Sequence, residues 1–287
     1  MLASFRAELL KIRKRPATWV LALVWFVLLV LFGYVFTYSF AANPPDPPEN
    51  QPAAVQQQQE ALNEQLLNGL LPENLLENLF TNGTFNLGAA IVLILGAMAA
   101  GSEYGWGTLK TSLTQRPSRF GLLAGKALAL AVFLVLFVAL GLAAGALSSY
   151  GVALLEDAAV EWPPLEELAK AAGVGVLTLG VWGFLGFALA MLFRGTALAI
   201  GLGLAWALAV ENTIALLPID SDWWESFRRL TLGENTASLG SIFGDPNPAF
   251  GIPEPLVEPE RAAITLGLYV AIFAALSLFL LLRRDVT

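Results

Sequence analysis

The chain has no cysteine and no histidine in its 287 residues. These absences exclude disulfides, thiol nucleophiles, the imidazole base and the usual zinc ligand sets. Charge is scarce as well. Only 14% of residues are Asp, Glu, Lys or Arg, where a soluble domain carries about a quarter. Hydrophobic residues fill the space instead, at 56% of the sequence with a mean hydropathy of +0.66. They come in blocks that reach the roughly 20 residues needed to span a bilayer. No pair of carboxylates sits within one block, so acid–base catalysis inside a membrane has no obvious apparatus. The composition points to an all-α membrane protein and away from an enzyme.

Taken in order, the chain reads as one transmembrane domain over residues 1–287. Residues 1–15 put Phe5, Leu9, Leu10 and Ile12 on one helical stripe, with Arg6, Lys11, Arg13, Lys14 and Arg15 elsewhere. That pattern predicts an amphipathic helix on an anionic membrane surface; a simpler reading gives the charges only the task of orienting the first span. Spans are expected at about 17–40, 85–101, 120–147, 168–193, 196–217 and 262–282. The first is uncharged for far longer than the roughly 7–15 residues of a signal-peptide core, so it reads as a membrane anchor. The second is rich in small residues, and the third carries the spacings Gly121/Gly125 and Gly141/Gly145, which favour close helix approach in lipid.

The intervening segments sort by charge. Residues 41–83 contain no Lys or Arg, start proline-rich and continue as a Gln-rich helix striped with leucine. Residues 148–167 and 218–260 are also acidic, and the last carries an amphipathic Trp223, Trp224, Phe227, Leu230 patch suited to headgroups. Residues 101–119 are basic, and Arg194-Gly195-Thr196 is a minimal turn. Of the 16 basic residues, only Lys170, Arg228, Arg229 and Arg261 fall on the acidic side. The positive-inside rule then puts both termini and the 101–119 loop in the cytoplasm of a multi-pass cell-membrane protein. The pI of 4.7 reflects the outer segments rather than a nucleic-acid or basic partner.

Three places invite chemistry. Gly121-Leu-Leu-Ala-Gly125-Lys126 superficially resembles a phosphate-binding loop, but it is one residue short of GxxxxGK and has Ala127 where Ser or Thr is needed. Nucleotide binding by this stretch is excluded. Glu211, followed by Asn212, is a carboxylate deep in an apolar segment, about 22 Å along the fifth span. It reads either as a polar group of a substrate pathway or as a side chain meeting headgroups or a neighbouring helix. Glu103 closes the second span and has three readings: a helix cap, a partner of Arg119 or Lys126, or a contact to another subunit.

Residues 101–126, GSEYGWGTLKTSLTQRPSRFGLLAGK, resemble the inner loop of ABC-2 type permeases through Glu103, Gly107, Thr108, Leu109, Arg119, Leu122, Gly125 and Lys126. The opening FRAELLKIRKRPATW resembles the family's first helix, with Glu8 and Lys11 as its E-x-x-K, and the tail RRDV and the acid late in span five fit the same pattern. The long outer segments 41–83 and 218–260 depart from it. The resemblance implies a permease with an N-terminal elbow helix and a coupling loop at 101–119. It would be paired with a second copy of itself or a relative and with two copies of a cytoplasmic ABC ATPase. It also implies export of a hydrophobic or amphipathic substrate, with no cofactor bound directly and ATP and magnesium held by the ATPase. Glu8, Lys11, Glu103, Gly107, Thr108, Lys110, Arg116 and Arg119 become the expected ATPase-coupling residues, and Glu211 and Asn212 the expected polar groups of the pathway. Gly101, Gly105 and Gly107 are expected where the second span bends into a surface helix. The alternative function is a non-transporting scaffold that engages an extracytoplasmic partner through its outer segments.

Overall fold

An apolar block in lipid must satisfy every backbone donor and acceptor within itself, which leaves the helix as the economical solution for each of the runs described above. A computed structural model describes residues 2–44, 52–105, 118–217, 219–246 and 254–283. Among them the regular structure is entirely helical, as expected.

Helix α1 covers Leu2–Lys14, and α2 runs Pro16–Ala42 with one wider, π-type turn at Leu31–Val35. Helix α3 covers Ala53–Gly69. Three short turns, at Pro72–Asn74, Glu77–Thr81 and Thr84–Leu87, lead into α4, Gly88–Gly105. Helices α5 (Arg119–Leu155), α6 (Leu165–Phe193) and α7 (Thr196–Leu216) follow, α7 with a second π-type turn at Ala205–Val210. Short helices α8 (Asp222–Arg228) and α9 (Leu232–Gly240) precede the last, α10 (Pro259–Arg283). Six of these helical stretches are long and apolar enough to cross a membrane, the second of them running Thr84–Tyr104 through the last short turn into α4.

Two features differ from the sequence reading. Helix α5 does not end near residue 147 but continues to Leu155, 37 residues or about 55 Å. The polar Ser149 on this extension is fully buried and donates to the Tyr34 hydroxyl at 3.0 Å, so a residue that looked like the end of a span is instead an inter-helix contact. Gly101 lies within α4 rather than at a bend, and Gly105 is the last described residue of that helix. At Gly101 the missing Cβ makes room: one placed there would meet Thr196 Cγ2 at 2.9 Å and Ala190 Cβ at 3.1 Å. Gly107 lies outside the described residues.

The centre of the bundle is the crossing of α4 on α6, the most extensive helix pair in the fold. It depends on bare backbone. A Cβ at Gly96 would stand 1.9 Å from the Gly183 carbonyl oxygen, and one at Gly186 would stand 2.1 Å from that of Leu93. Lipid tails are as apolar as the side chains, so association draws on close packing rather than on removal of water. The buried core spreads from this crossing to α2 and α5, where Trp25 is fully enclosed. Helices α7 and α10 keep much of their apolar surface outward. One end of the bundle carries α1, the end of α4, the start of α5 and the end of α10; the other carries α3, α8, α9 and the acidic segments.

Two alanine substitutions on α6 separate this crossing from ordinary glycine effects. Gly186→Ala forces two backbones apart and is expected to lower stability by about 1–3 kcal/mol. Gly180→Ala meets nothing within 4 Å and is expected to be neutral or stabilising by up to about 1 kcal/mol. Thermal unfolding of the purified protein in detergent reads both.

Candidate functional site

Helix α1 places Glu8 and Lys11 three residues apart, hence on one face, and it seats that face on α5. Gly125 allows the approach, since a Cβ there would lie 2.9 Å from the Phe5 nitrogen and from Ser4 Cβ. The next residue of α5, Lys126, then points at Glu8, and Glu103 arrives from the last turn of α4.

The four side chains close a ring of alternating charge. Lys11 Nζ donates to Glu8 Oε1 at 2.7 Å and to Glu103 Oε1 at 2.5 Å. Lys126 Nζ donates to Glu8 Oε2 at 3.1 Å and lies 3.2 Å from Glu103 Oε2, an ion pair without hydrogen-bond alignment. Each carboxylate meets both ammonium groups, and the formal charge sums to zero. Glu8 is 3% exposed, Glu103 2% and Lys126 3%; Lys11 alone reaches outward, with 39% of its side chain exposed. For Lys11, burial opposes the charge, but hydrogen bonds to Glu103 and Glu8 outweigh it and raise its pKa above the ordinary 10.5. A raised lysine stabilises the fold fully below its unfolded value and loses that contribution only as the pH rises through its folded one. The Lys11 contribution is therefore intact at neutral pH.

Backbone contacts extend the knot. Arg15, at the corner between α1 and α2, donates to the Met98 carbonyl at 3.0 Å and to Ser102 Oγ at 2.7 Å. Lys126 Nζ lies 3.4 Å from the Ala99 carbonyl. Both cations sit near the C-terminal end of α4, where the helix presents its negative pole. The start of α5 is fixed separately. Ser118 caps it by accepting from the Gly121 nitrogen at 3.0 Å, and Arg119 donates to the carbonyls of Leu281 and Leu282 at 3.3 and 3.0 Å.

Of the residues expected to couple to an ATPase, Glu8, Lys11 and Glu103 thus come together around Lys126. Arg119 instead holds the C-terminal end of α10. Gly107, Thr108, Lys110 and Arg116 lie outside the described residues. Of the readings open for Glu103, the pairing with Lys126 is realised, and Lys11 is the partner that sequence reasoning missed. The available signal was the E-x-x-K of α1 beside the G-K of α5, two motifs that read separately in sequence.

At the opposite end, Glu211 is 7% exposed and serves as an anchor. It accepts from Trp206 Nε1 at 2.8 Å, the Leu232 nitrogen at 3.2 Å and the Gly233 nitrogen at 2.9 Å. It therefore caps α9 across 21 residues of chain and draws the segment after α7 back into the bundle. The Asn212 side chain is exposed and donates to the Leu208 carbonyl at 2.8 Å. Helix α9 is held on its other flank by Thr81, whose hydroxyl donates to the Gly240 carbonyl at 3.0 Å. A Cβ at Gly240 would stand 2.5 Å from the Phe80 oxygen. A line of rings, Phe243, Phe80, Phe85 and Trp25, runs inward from this contact with centroids 4.6–5.4 Å apart. Asn78 adds a bond to the Gly33 carbonyl at 3.2 Å, within the π-type turn of α2.

Beneath this plug lies a cavity of about 590 Å³, between Leu28 of α2, Ala89 and Ala90 of α4, Trp182 of α6 and Ala207 of α7. Glu211, Asn212, Asn86 and the Arg228–Glu234 ion pair give it polar points on apolar walls. Its volume and mixed lining suit a small amphipathic molecule.

Removing one member of the buried ring tests its weight. Lys126→Met leaves two carboxylates with one cation and is expected to cost about 3–5 kcal/mol. Adding Glu8→Gln restores neutrality, so the double variant is expected to be more stable than Lys126→Met alone. A double-mutant cycle of unfolding in detergent measures the difference.

No curated protein matches the chain. The family model described as "ABC-2 family transporter protein" matches residues 2–286, which is nearly the whole chain and includes every side chain of the ring and of the cavity. With its six membrane-length helices, the chain belongs to the ABC-2 family of transporter membrane proteins.

Proposed function

We propose that the chain is the permease subunit of an ATP-driven exporter of a hydrophobic or amphipathic substrate. Two copies of a separate ATPase would act on the end of the bundle that carries α1, which lies in the cytoplasm in this reading. A second permease, a further copy of this chain or a relative, would complete the assembly in the cell membrane. ATP and magnesium belong to the ATPase, and the permease contributes mechanics.

The observation that carries this reading is the way both ends of the 101–119 segment are tied. Glu103 enters the buried ring with Glu8, Lys11 and Lys126, and Arg119 grips the end of α10. A push on the loop between them reaches α1, α4, α5 and α10 at once. In this role Glu8 and Glu103 transmit force within the permease; the basic Lys110 and Arg116, with Gly107 and Thr108, make the docking contact. The force reaches the far end through the α4–α6 crossing, where α9 covers the cavity that Glu211 and Asn212 line. Export follows when the bundle shifts from a state open to the cytoplasm to one in which this cover has moved.

A scaffold role has one observation of its own, since α3 has no buried residue and most of its residues are exposed, as a docking helix for an outside partner would be. The two readings part under a charge reversal. The K110E/R116E variant is expected to keep its fold but lose co-purification of the ATPase and at least about tenfold of coupled ATP turnover, an effect of about 1.4 kcal/mol. Unchanged association and coupled turnover would overturn the docking assignment. Loss of an outside partner but not of transport on deletion of residues 53–67 would assign α3 to a scaffold function alone.

A further inference from the structure

The opposite face of Glu211 borders a second cavity, of about 430 Å³, between α6, α7 and α10. Four aromatic side chains line it: Phe193, Trp206, Tyr269 and Phe273. Leucines and Thr231 complete the wall, and among the described residues lining it Glu211 carries the only charge. None of them is Lys or Arg, in contrast to the first cavity, where Arg228 contributes a cation.

The orientation of these groups is fixed. Trp206 is held by its indole bond to Glu211 at 2.8 Å. Tyr269 has its hydroxyl committed to the Leu230 carbonyl at 2.8 Å and its ring stacked at 6.0 Å on Phe273. The Glu211 carboxylate accepts three hydrogen bonds, two at Oε1 and one at Oε2. A carboxylate offers about four acceptor positions, so one remains, on Oε2. The three donors are neutral groups and leave the formal negative charge without a protein counter-ion among the cavity's described lining. Leu202 and Trp206 are 49% and 41% exposed, so the cavity opens on the exposed side of α7.

We propose that this cavity binds a lipophilic organic cation, with aromatic faces around its charge and Glu211 as counter-ion. The faces of Trp, Tyr and Phe attract a desolvated cation through their quadrupoles. The carboxylate disfavours an anion of the same shape, and a neutral apolar molecule gains nothing from it. The site is independent of the transport reading, since occupancy needs neither ATP nor partner subunits.

The test uses the purified full-length chain in detergent, with radiolabelled tetraphenylphosphonium as probe and tetraphenylborate as its anionic isostere. Displaceable tetraphenylphosphonium binding at one site per chain is expected, and tetraphenylborate, assayed in separate samples because the two ions precipitate together, is expected not to bind there. Glu211→Gln keeps the size and acceptor oxygen of the side chain and is expected to weaken binding about tenfold or more. Leu202→Trp fills the cavity from its exposed side and is expected to abolish binding. If Glu211→Gln does not fold, Leu202→Trp decides alone. Absence of saturable tetraphenylphosphonium binding, equal saturable binding of tetraphenylborate on its own, or binding unchanged in the folded variants would overturn the proposal, the second outcome marking the cavity as a groove for lipid tails.

Discussion

Two acids and a lysine lie where water barely reaches, a second lysine closes their ring from its half-exposed edge, and the arrangement at this end of the bundle follows from their need for one another. A buried carboxylate without a cation costs several kcal/mol, and so does a buried ammonium without an anion. In the ring of Glu8, Lys11, Glu103 and Lys126 each charge has two opposite neighbours, so displacing any one of the three helices that supply them exposes uncompensated charge in a poorly solvated place. Apolar contacts between α1 and α5 would tolerate sliding; the ring does not, because its attraction depends on both distance and sign. The elbow helix, the end of α4 and the start of α5 therefore behave as one body, from which the 101–119 segment departs.

The far end of the bundle solves a different problem by a related device. Glu211 is also a buried carboxylate, but its partners are an indole and two backbone amides rather than cations. It holds down a short helix by satisfying donors at that helix's N-terminus. Its three donors are neutral groups, so this network carries one charge where the ring locks four together. Helix α9, the Phe80–Phe85 turns and the cavity beneath them are joined mainly by neutral hydrogen bonds and ring contacts, with the single ion pair Arg228–Glu234 beside them rather than a closed ring. The contrast supports a division of labour along the proposed path of force, with a rigid body where the push is received and exchangeable contacts where a substrate must pass. The two π-type turns, at Leu31–Val35 and Ala205–Val210, fall on the helices that this upper region grips.

Much of the architecture was legible because lipid imposes a rule on every residue of a span. Long apolar runs of membrane length, with at most a single charge inside, gave six helices, and the Arg194-Gly195-Thr196 turn marked a sharp boundary. The end of α5 was not legible, since Ser148-Ser149-Tyr150 reads as polar surface until Tyr34 is placed against it. Gly101 looked like a hinge and is a contact, because a glycine carries no mark in sequence of which of its two uses is in force. Glu103 was recognised, but its ring joins residues up to 118 positions apart, and no local pattern announces a closure of that length. Glu211 stood out as an acid among apolar residues, whereas the amides it binds, at Leu232 and Gly233, have no side-chain signature at all.

The central claim is that α1, α4 and α5 move as a unit because their charges are locked together. The absence of cysteine makes the direct measurement simple, since two introduced cysteines are the only labelling sites of this chain when it is labelled before assembly. Spin labels at Ala7→Cys on α1 and Leu128→Cys on α5, in labelled chain diluted into unlabelled chain and assembled with its ATPase, report the α1–α5 distance by pulsed electron resonance. The account predicts one narrow distance distribution that is the same without nucleotide, with a non-hydrolysable ATP analogue and after hydrolysis. A distribution that broadens, splits or shifts between those states would contradict it.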